Sequence, residues 1–449
     1  MKARTLLILL LPIAALAAQA KNEINLPLVS TKYTADPAPY VHNDTIYLYT
    51  THDEPDGENF HMKDWLLYTS TDMVNWQDRG IVASLKDFKW YTGDNGAWAE
   101  QVIERNGKWY MYCPIHGHGI GVLVSDSPYG PFTDPLGKPL VWNPENWDDI
   151  DPTVWIDDDG RTYMYWGNPH TYCIELNEDM ISVKGERMVM DPIEDYQEGP
   201  WFWKRNGHYY LAYASTCCPE GIGYAMSASP TGPWNYMGHI MNHTPRTRGN
   251  HPGIISDYKG HSYVFGLTYD LFRFETGRHA ERRSVMAAEI QYRSDGTIEE
   301  VPYFQDCKLL PLESFNPYRK VEAEIMAWGR GLQTERRNPW GGERWNQRVT
   351  GIDEDEFILI KEVDFKNGAS TFTASASCHM LGGSIEVRLD DVEGTCIGTL
   401  LITNTRDEWR EFRTKVKKVS GIHDLYLVFR GNKWQQQNLF DLDYWKFEK

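Results

Sequence analysis

Five stretches of the chain repeat one pattern, a polar turn followed by an alternating, aromatic-rich run, over 43–50, 106–113, 159–167, 206–215 and 259–268. Four turns end in glycine: Asn106-Gly107, Asp159-Gly160, Asn206-Gly207 and Lys259-Gly260; the first has Asn43-Asp44-Thr45 instead. Such dipeptides adopt the mirror-image turns whose twist matches that of paired strands, so each stretch predicts a β-hairpin. Almost no helical periodicity separates the hairpins. Five all-β repeats of unequal length favour a five-bladed β-propeller over a sandwich or barrel, predicted to span 24–315. Two further related stretches, 125–132 and 227–234, each carry Ser-Pro and Gly-Pro and read as outer strands of the repeated sheets. After Phe315-Asn316-Pro317 the repeat stops. Short alternating runs at 357–361, 384–389 and 425–429 then predict a jelly-roll-like β-sandwich over 316–449. No Gly/Ser or Pro-rich tract intervenes, so the two units are expected to pack firmly.

Residues 1–20 read as a signal peptide: Lys2 and Arg4, a short apolar run, then Ala18-Gln19-Ala20. A secreted or periplasmic protein is the expectation. The apolar run is shorter than the roughly 20 residues a membrane helix needs. A net charge of −18 repels phosphate backbones and anionic bilayers, which argues against nucleic-acid and membrane partners and favours a neutral one. The chain has 18 Trp, 26 Tyr and 16 Phe, more than core packing asks for, and aromatic faces stack well on the apolar faces of sugar rings. The seven cysteines show neither a disulfide lattice nor zinc-ligand spacing.

Counting nine residues back from the turn glycine of each later repeat reaches Trp98, Asp151, Glu198 and His251; the matching position before Thr45 is Asp36. Equivalent positions in a propeller converge on its axis, so three acids, a histidine and a tryptophan should meet there. Gathering three carboxyls costs repulsion unless a cation or water compensates, which makes the cluster a catalytic signal rather than a structural one. A proline follows each acid within two residues and restricts the backbone there.

At Ala35-Asp36-Pro37, Asp151-Pro152-Thr153-Val154-Trp155 and Glu198-Gly199-Pro200 the chain resembles glycoside hydrolase family 43. The resemblance implies an inverting hydrolase with Asp36 as general base, Glu198 as general acid and Asp151 as the acid that tunes and orients. It implies release of terminal α-L-arabinofuranose or β-D-xylose from arabinoxylan or xylan, the partner being a plant polysaccharide or oligosaccharide. It further implies that His251 lies near a central cation, usually calcium held largely through water. Arg283, in Glu281-Arg282-Arg283-Ser284, is implied to reach the sugar and Asp151, and Trp98 to wall the pocket. The tail, with Val321-Glu322-Ala323-Glu324 at its start and Asp441-Leu442-Asp443-Tyr444-Trp445 at its end, resembles carbohydrate-binding module family 6. That implies a structural calcium on Glu322, Glu324 and Asp443, and a sugar site at Trp434 and Asn438 with Phe357 opposite. Alternatives are an arabinan-active hydrolase, a non-catalytic carbohydrate-binding protein, and a fructan-cleaving enzyme. The last is disfavoured because Ala35 stands where that class has asparagine.

Overall fold

All five hairpins form, and each supplies the first two strands of a separate antiparallel sheet. The protein is described here from a computed structural model over residues 25–246, 250–341 and 343–449; the stretch read as a signal peptide lies outside the described residues. The first sheet contains Thr34–His42, Thr45–His52, Asp64–Ser70 and Trp76–Ser84; the second contains Gln101–Arg105, Lys108–Pro114 and Ile120–Ser125. The third runs through Thr153–Ile156, Thr162–Trp166, Tyr172–Leu176 and Val183–Val189, and the fourth through Tyr196–Arg205, His208–Ser215, Ile222–Ser227 and Asn235–Met241. The fifth holds Gly253–Tyr258, His261–Thr268 and Ser284–Ile290, with the short helix Asp270–Thr276 between its last two strands.

Turn chemistry sets these hairpins. Asn106-Gly107, Asn206-Gly207 and Lys259-Gly260 have positive φ at both residues, as does Asn43-Asp44, so the first repeat makes the same kind of turn without glycine. The third differs: Asp157 N–H donates to the Arg161 carbonyl at 2.8 Å, and only Gly160 of its turn pair has positive φ.

The first strand of each sheet contacts the first strand of the next, and the fifth returns to contact the first. The return is close. A Cβ on Gly253 would sit 2.4 Å from the Pro37 carbonyl, so this crossing requires glycine. Tyr49, Trp65, Trp109, Met111, Tyr210 and Val264 fill the shared core.

The two Ser-Pro stretches are not outer strands. Residues 125–132 and 227–234 are turns that follow the third strands of the second and fourth sheets. Each docks on the preceding sheet: Tyr49 Oη donates to the Pro128 carbonyl at 2.7 Å, and Tyr165 Oη to that of Pro230. A turn can use its unpaired carbonyls this way, whereas a ladder strand has already committed them.

The tail is a β-sandwich. One sheet includes Gln347–Thr350, Asp441–Glu448, Ala369–Ser377 and Arg410–Val419; the other includes Phe357–Asp364, Ile422–Arg430, Gly383–Leu389 and Thr395–Ile402. Gly383–Leu389 alternates buried and half-buried residues along its length, the period-two signature of a strand with one face inward. Phe372, Trp445, Phe447, Leu427 and Phe429 form the core between the sheets.

The border between the units is stitched rather than linked. Ile325–Met326, from the tail, pairs with Gln77 and Trp76 and extends the first sheet. Asn75 and Lys361 exchange two hydrogen bonds at 2.9 and 3.2 Å, and Gly329 N–H donates to Ser30 Oγ at 2.8 Å.

Candidate active site

Asp36, Asp151, Gly199 and His251 each precede a proline, and together with Ala99, Glu100 and Trp201 they line a small pocket. The backbone is unusual at each acid. Asp36 and Asp151 have φ of 50° and 56°, and the strand registers shift between Ala35 and Ala38 and between Glu198 and Trp201. Non-glycine residues in this region cost of order 1–3 kcal/mol and persist where the surrounding structure over-determines them. The first bulge re-aims the Asp36 side chain from the ladder into the pocket, and the second lies beside Glu198, whose carboxyl meets His251.

Asp36 is buried yet ionised. Thr51 Oγ1 donates to its Oδ2 at 2.8 Å, and Arg283 Nη1 lies 3.0 Å from its Oδ1. Burial alone would raise its pKa, but the Arg283 guanidinium, His251 and Thr51 outweigh burial and hold it below the usual carboxylate range. Arg283 is itself clamped by Asp53, with Nη2 to Oδ1 at 2.8 Å and Nε to Oδ2 at 3.1 Å. Its partners are therefore Asp36 and Asp53, not Asp151 as the resemblance implied. The reason is positional: Arg283 immediately precedes Ser284–Ile290, and Thr34 N–H donates to the Arg283 carbonyl at 3.0 Å, which places the guanidinium beside the first sheet's entry. Arg282 points elsewhere, donating to the carbonyls of Pro55, Gly57 and Asn59 as a buried loop clasp.

Asp151 is the opposite case. Burial, with the Glu198 and Asp36 charges adding to it against the pull of His251, pushes its carboxyl up to about 8. His251 stands between the acids, with Nε2 3.4 Å from Glu198 Oε1 and 3.8 Å from Asp151 Oδ2, and Nδ1 3.7 Å from Asp36 Oδ1. Burial opposes its charge, but the Asp151, Asp36 and Glu198 carboxyls raise its pKa to about 10. The imidazolium and the Arg283 guanidinium are thus the positive charges that let the carboxyls gather. Glu198 is the more open acid, its side chain 22% exposed against 3% for Asp151, and Asn168 Nδ2 donates to its Oε2. Gly199, at φ 60°, leaves room for the His251 ring, which a Cβ there would meet at 3.1 Å.

Trp98, like Glu198, is not among the residues that line this pocket. It stacks on His116 with ring centroids 3.9 Å apart, and the second sheet's pocket-lining residues are Ala99 and Glu100. Gln101–Arg105 has neither the register shifts of the first and fourth entries nor the longer 157–161 turn of the third, so a fixed count overshoots there. Four residues escaped the sequence reading: Asp53, Glu100, Asn168 and Glu220. Both Glu100 oxygens are buried without a hydrogen-bond donor among the described residues, and burial raises its pKa. Burial and the neighbouring Glu198 charge push Glu220 up to about 8. Asn168 and Glu220 come from loops with no repeat position to flag them; the strand end at Asp53 carried no motif.

In the tail, Trp434 is 76% exposed and borders an open, polar depression with Asp353, Glu354, Asp355 and Gln435 to Gln437. Asn438 sits beside it, its N–H donating to Asp353 Oδ1 at 2.8 Å. Phe357 is not exposed opposite them; it is buried with Leu359, Tyr426 and Val428 on the face of its sheet turned away from the sandwich core, where Ala327 and Trp328 pack against it. Strand pairing sets Glu322 opposite Tyr444, and Ala323 N–H donates to the Asp443 carbonyl at 2.9 Å. Glu324 Oε1 accepts from Gln77 Nε2 at 2.9 Å, while Glu322 approaches Lys320 and Asp443 approaches Arg337. Oε2 of both Glu322 and Glu324 is buried with no hydrogen-bond donor among the described residues.

The pattern of Glycosyl hydrolases family 43 matches residues 24–298, and that of Carbohydrate binding module (family 6) matches 322–449. An arabinoxylan arabinofuranohydrolase of Bacillus subtilis (strain 168) is 33% identical over 94% of this chain and 92% of its own. A crystal structure of a family 43 arabinoxylan arabinofuranohydrolase from Bacillus subtilis, in complex with cellotetraose, superposes with a TM-score of 0.82 at 32% identity, covering 94% of this chain and 97% of that one. A β-xylosidase/α-arabinofuranosidase of the family from a compost microbial metagenome, in complex with xylotriose and in a calcium-free form, gives a TM-score of 0.55 at 27% identity over 62% of this chain and 97% of that one. A pocket of opposed carboxyls entered from separate sheets, a family pattern covering more than half of the chain and relatives that span nearly all of it lead to one conclusion: the protein is a glycoside hydrolase belonging to family 43, with a family 6 carbohydrate-binding module at its C-terminal end.

Proposed function

We propose that the protein removes terminal pentoses, foremost α-L-arabinofuranosyl groups and otherwise β-D-xylosyl groups, from arabinoxylan or xylan with inversion at the anomeric carbon. The observation that carries this is the split between Asp36, held ionised by Arg283 and Thr51, and Glu198, the more open acid on another sheet. Inversion requires a base that activates water on one face of the sugar and an acid that protonates the leaving oxygen on the other. Asp36 takes the first role and Glu198 the second. Asp151, beside both His251 and the Gly199 N–H, orients Glu198 and shapes its field. Full-length similarity to arabinoxylan arabinofuranohydrolases supports the arabinofuranosyl reading. The five sheets are read as blades of one propeller, which the cyclic contact of their first strands supports.

Calcium is proposed at Glu322, Glu324 and Asp443, because buried carboxylate oxygens without donors fit a hard, oxygen-seeking cation. It would tie the two ends of the module together. His251 fits direct calcium ligation poorly, since both ring nitrogens face carboxyls as an imidazolium would. The basic start and apolar run of residues 1–20 support export from the cell.

The deciding experiment is chromatography of the sugars released from arabinoxylan, arabinan and xylo-oligosaccharides by wild type and by Glu198→Gln. Arabinose from arabinoxylan, lost in the variant, is expected. Xylose alone would make the protein a xylosidase, and no variant-sensitive product would leave only the carbohydrate-binding reading.

A further inference from the structure

Away from the pocket, one end of the fourth sheet gathers two imidazoles around one carboxylate. Asp195 immediately precedes Tyr196–Arg205, His239 sits on Asn235–Met241, and His243 lies two residues beyond that strand. Asp195 Oδ2 is 2.9 Å from His239 Nε2 and 3.8 Å from His243 Nε2, and one ligand atom from each residue falls within 4.8 Å of the others. Their side chains are 19%, 17% and 33% exposed, so an ion could reach them from solvent.

An ordinary ion pair accounts for His239 but not for His243, whose ring is held by other means. Gly221 N–H donates to Ser215 Oγ at 2.6 Å, which leaves the serine proton free for His243 Nε2 at 3.0 Å. Asn242 Oδ1 stands 3.4 Å from His243 Nδ1 and can accept its proton. This network selects the tautomer with its lone pair on Nε2, where the Ser215 hydroxyl caps it; rotation of that hydroxyl would free the lone pair for an ion, with Asn242 as the outer partner on Nδ1. Asp195 is equally fixed. It has φ of 62°, and the Thr216 N–H reaches both its carbonyl at 3.1 Å and its Oδ1 at 3.2 Å, leaving Oδ2 for the imidazoles.

We propose that Asp195, His239 and His243 form a binding site for a divalent cation of the zinc class. Two imidazoles and one carboxylate, with a fourth position open to water, suit tetrahedral zinc; calcium instead takes six to eight oxygens. With bonds of about 2.0–2.1 Å the ligand atoms would stand about 3.3 Å apart, so the 2.9 Å contact opens and the 3.8 Å contact closes by about half an ångström each. The ion would clasp the entry of the first strand to the far strand of the same sheet. That entry leads within three residues to Glu198, so the clasp would stiffen the segment that carries the acid.

The test is calorimetric titration of chelator-stripped full-length protein with zinc chloride, beside the double variant His239→Gln/His243→Gln and the single variant Asp195→Asn. Wild type should take up one more equivalent than the double variant, and Asp195→Asn should bind that equivalent at least tenfold more weakly. Cobalt(II) should give the strong visible absorption of a tetrahedral site in wild type and not in the double variant. Equal zinc stoichiometry and affinity in wild type and the double variant would overturn the proposal. Should the double variant lack cooperative thermal unfolding, His243→Gln alone decides, and unchanged zinc affinity there overturns it too.

Discussion

The pocket of the N-terminal unit and the depression of the module are built in contrasting ways. In the first, Asp36, Asp151 and Arg283 are nearly inaccessible, and two acids sit in left-handed backbone. In the second, Trp434, Asp355, Gln436 and Gln437 lie open to solvent, and Asp353 and Glu354 are half-exposed. Charges acting in a dry, fixed setting are worth far more than in water, which is what differential stabilisation of a transition state needs. An exposed ring over polar groups gives modest, reversible attachment. Left-handed backbone occurs in both places, at Asp36 and Asp151 in the pocket and at Asp355 and Asn438 by the depression, so the two regions differ in how deeply their charges are buried and not in backbone strain.

The sharpest way to break this contrast is to neutralise an acid. Glu198→Gln and Asp36→Asn should each lower kcat about 10²–10⁴-fold while the melting transition stays cooperative. Near-normal turnover by either would remove the proposed roles. Arg283→Met would instead strand Asp36 and Asp53 without their cation, and denaturant unfolding should show a loss of about 3–5 kcal/mol.

The charge balance also predicts a pH dependence. His251 has a folded pKa raised from 6.5 to about 10, so its contribution to stability is fully present below 6.5 and is lost as pH rises through about 10. Asp151, raised to about 8, acts in the same direction from the acid side: its contribution fades between about 4 and 8. Asp36, with a lowered pKa, has the opposite sign and loses its contribution only as pH falls through its folded value. Thermal unfolding followed from pH 6.5 to 10 should thus show a falling Tm in wild type and a shallower slope in His251→Gln. A steeper slope in the variant would contradict the assignment of charge to His251.

Smaller effects sharpen the comparison. Gly199→Ala, forced into left-handed backbone against the His251 ring, should cost about 1–2 kcal/mol and also reduce kcat, since Glu198 is its neighbour. On the module, Trp434→Ala should weaken retention on insoluble arabinoxylan by about 0.5–1.5 kcal/mol and leave turnover of a small aryl glycoside unchanged. A change in that turnover would mean the two regions are coupled, and the stitched border would be the place to look.

The hairpins were legible because their turns are local. Asn206-Gly207 specifies its backbone whatever surrounds it, and even Asn43-Asp44, lacking glycine, makes the same turn. Asp36, Asp151, Glu198 and His251 were legible because the repeat gives them one position, and four entries that meet bring the three acids around His251. The repeat stops being informative where the geometry stops being periodic. The count reaches Trp98 and not Glu100 because bulges or longer turns lengthen other entries and not this one. Phe357 looked like a surface ring because alternation marks the outer face of a strand without saying that Ala327 and Trp328 will cover it.

The border shows the same limit. A change of pattern after Phe315 marks where the repeat ends, yet Ile325–Met326 returns to extend the first sheet, a pairing between residues about 250 apart that no local signal announces. Turn type, strand alternation and the identity of the acids were determined by the sequence itself, because each depends on neighbours a few residues away. Which cation holds Asp36 ionised, which carboxyl is forced toward its neutral form and which imidazoles converge on Asp195 were decided only by the tertiary structure. Burial and charge proximity are sums over groups that are distant in the chain and near in space, and only the folded arrangement fixes those sums.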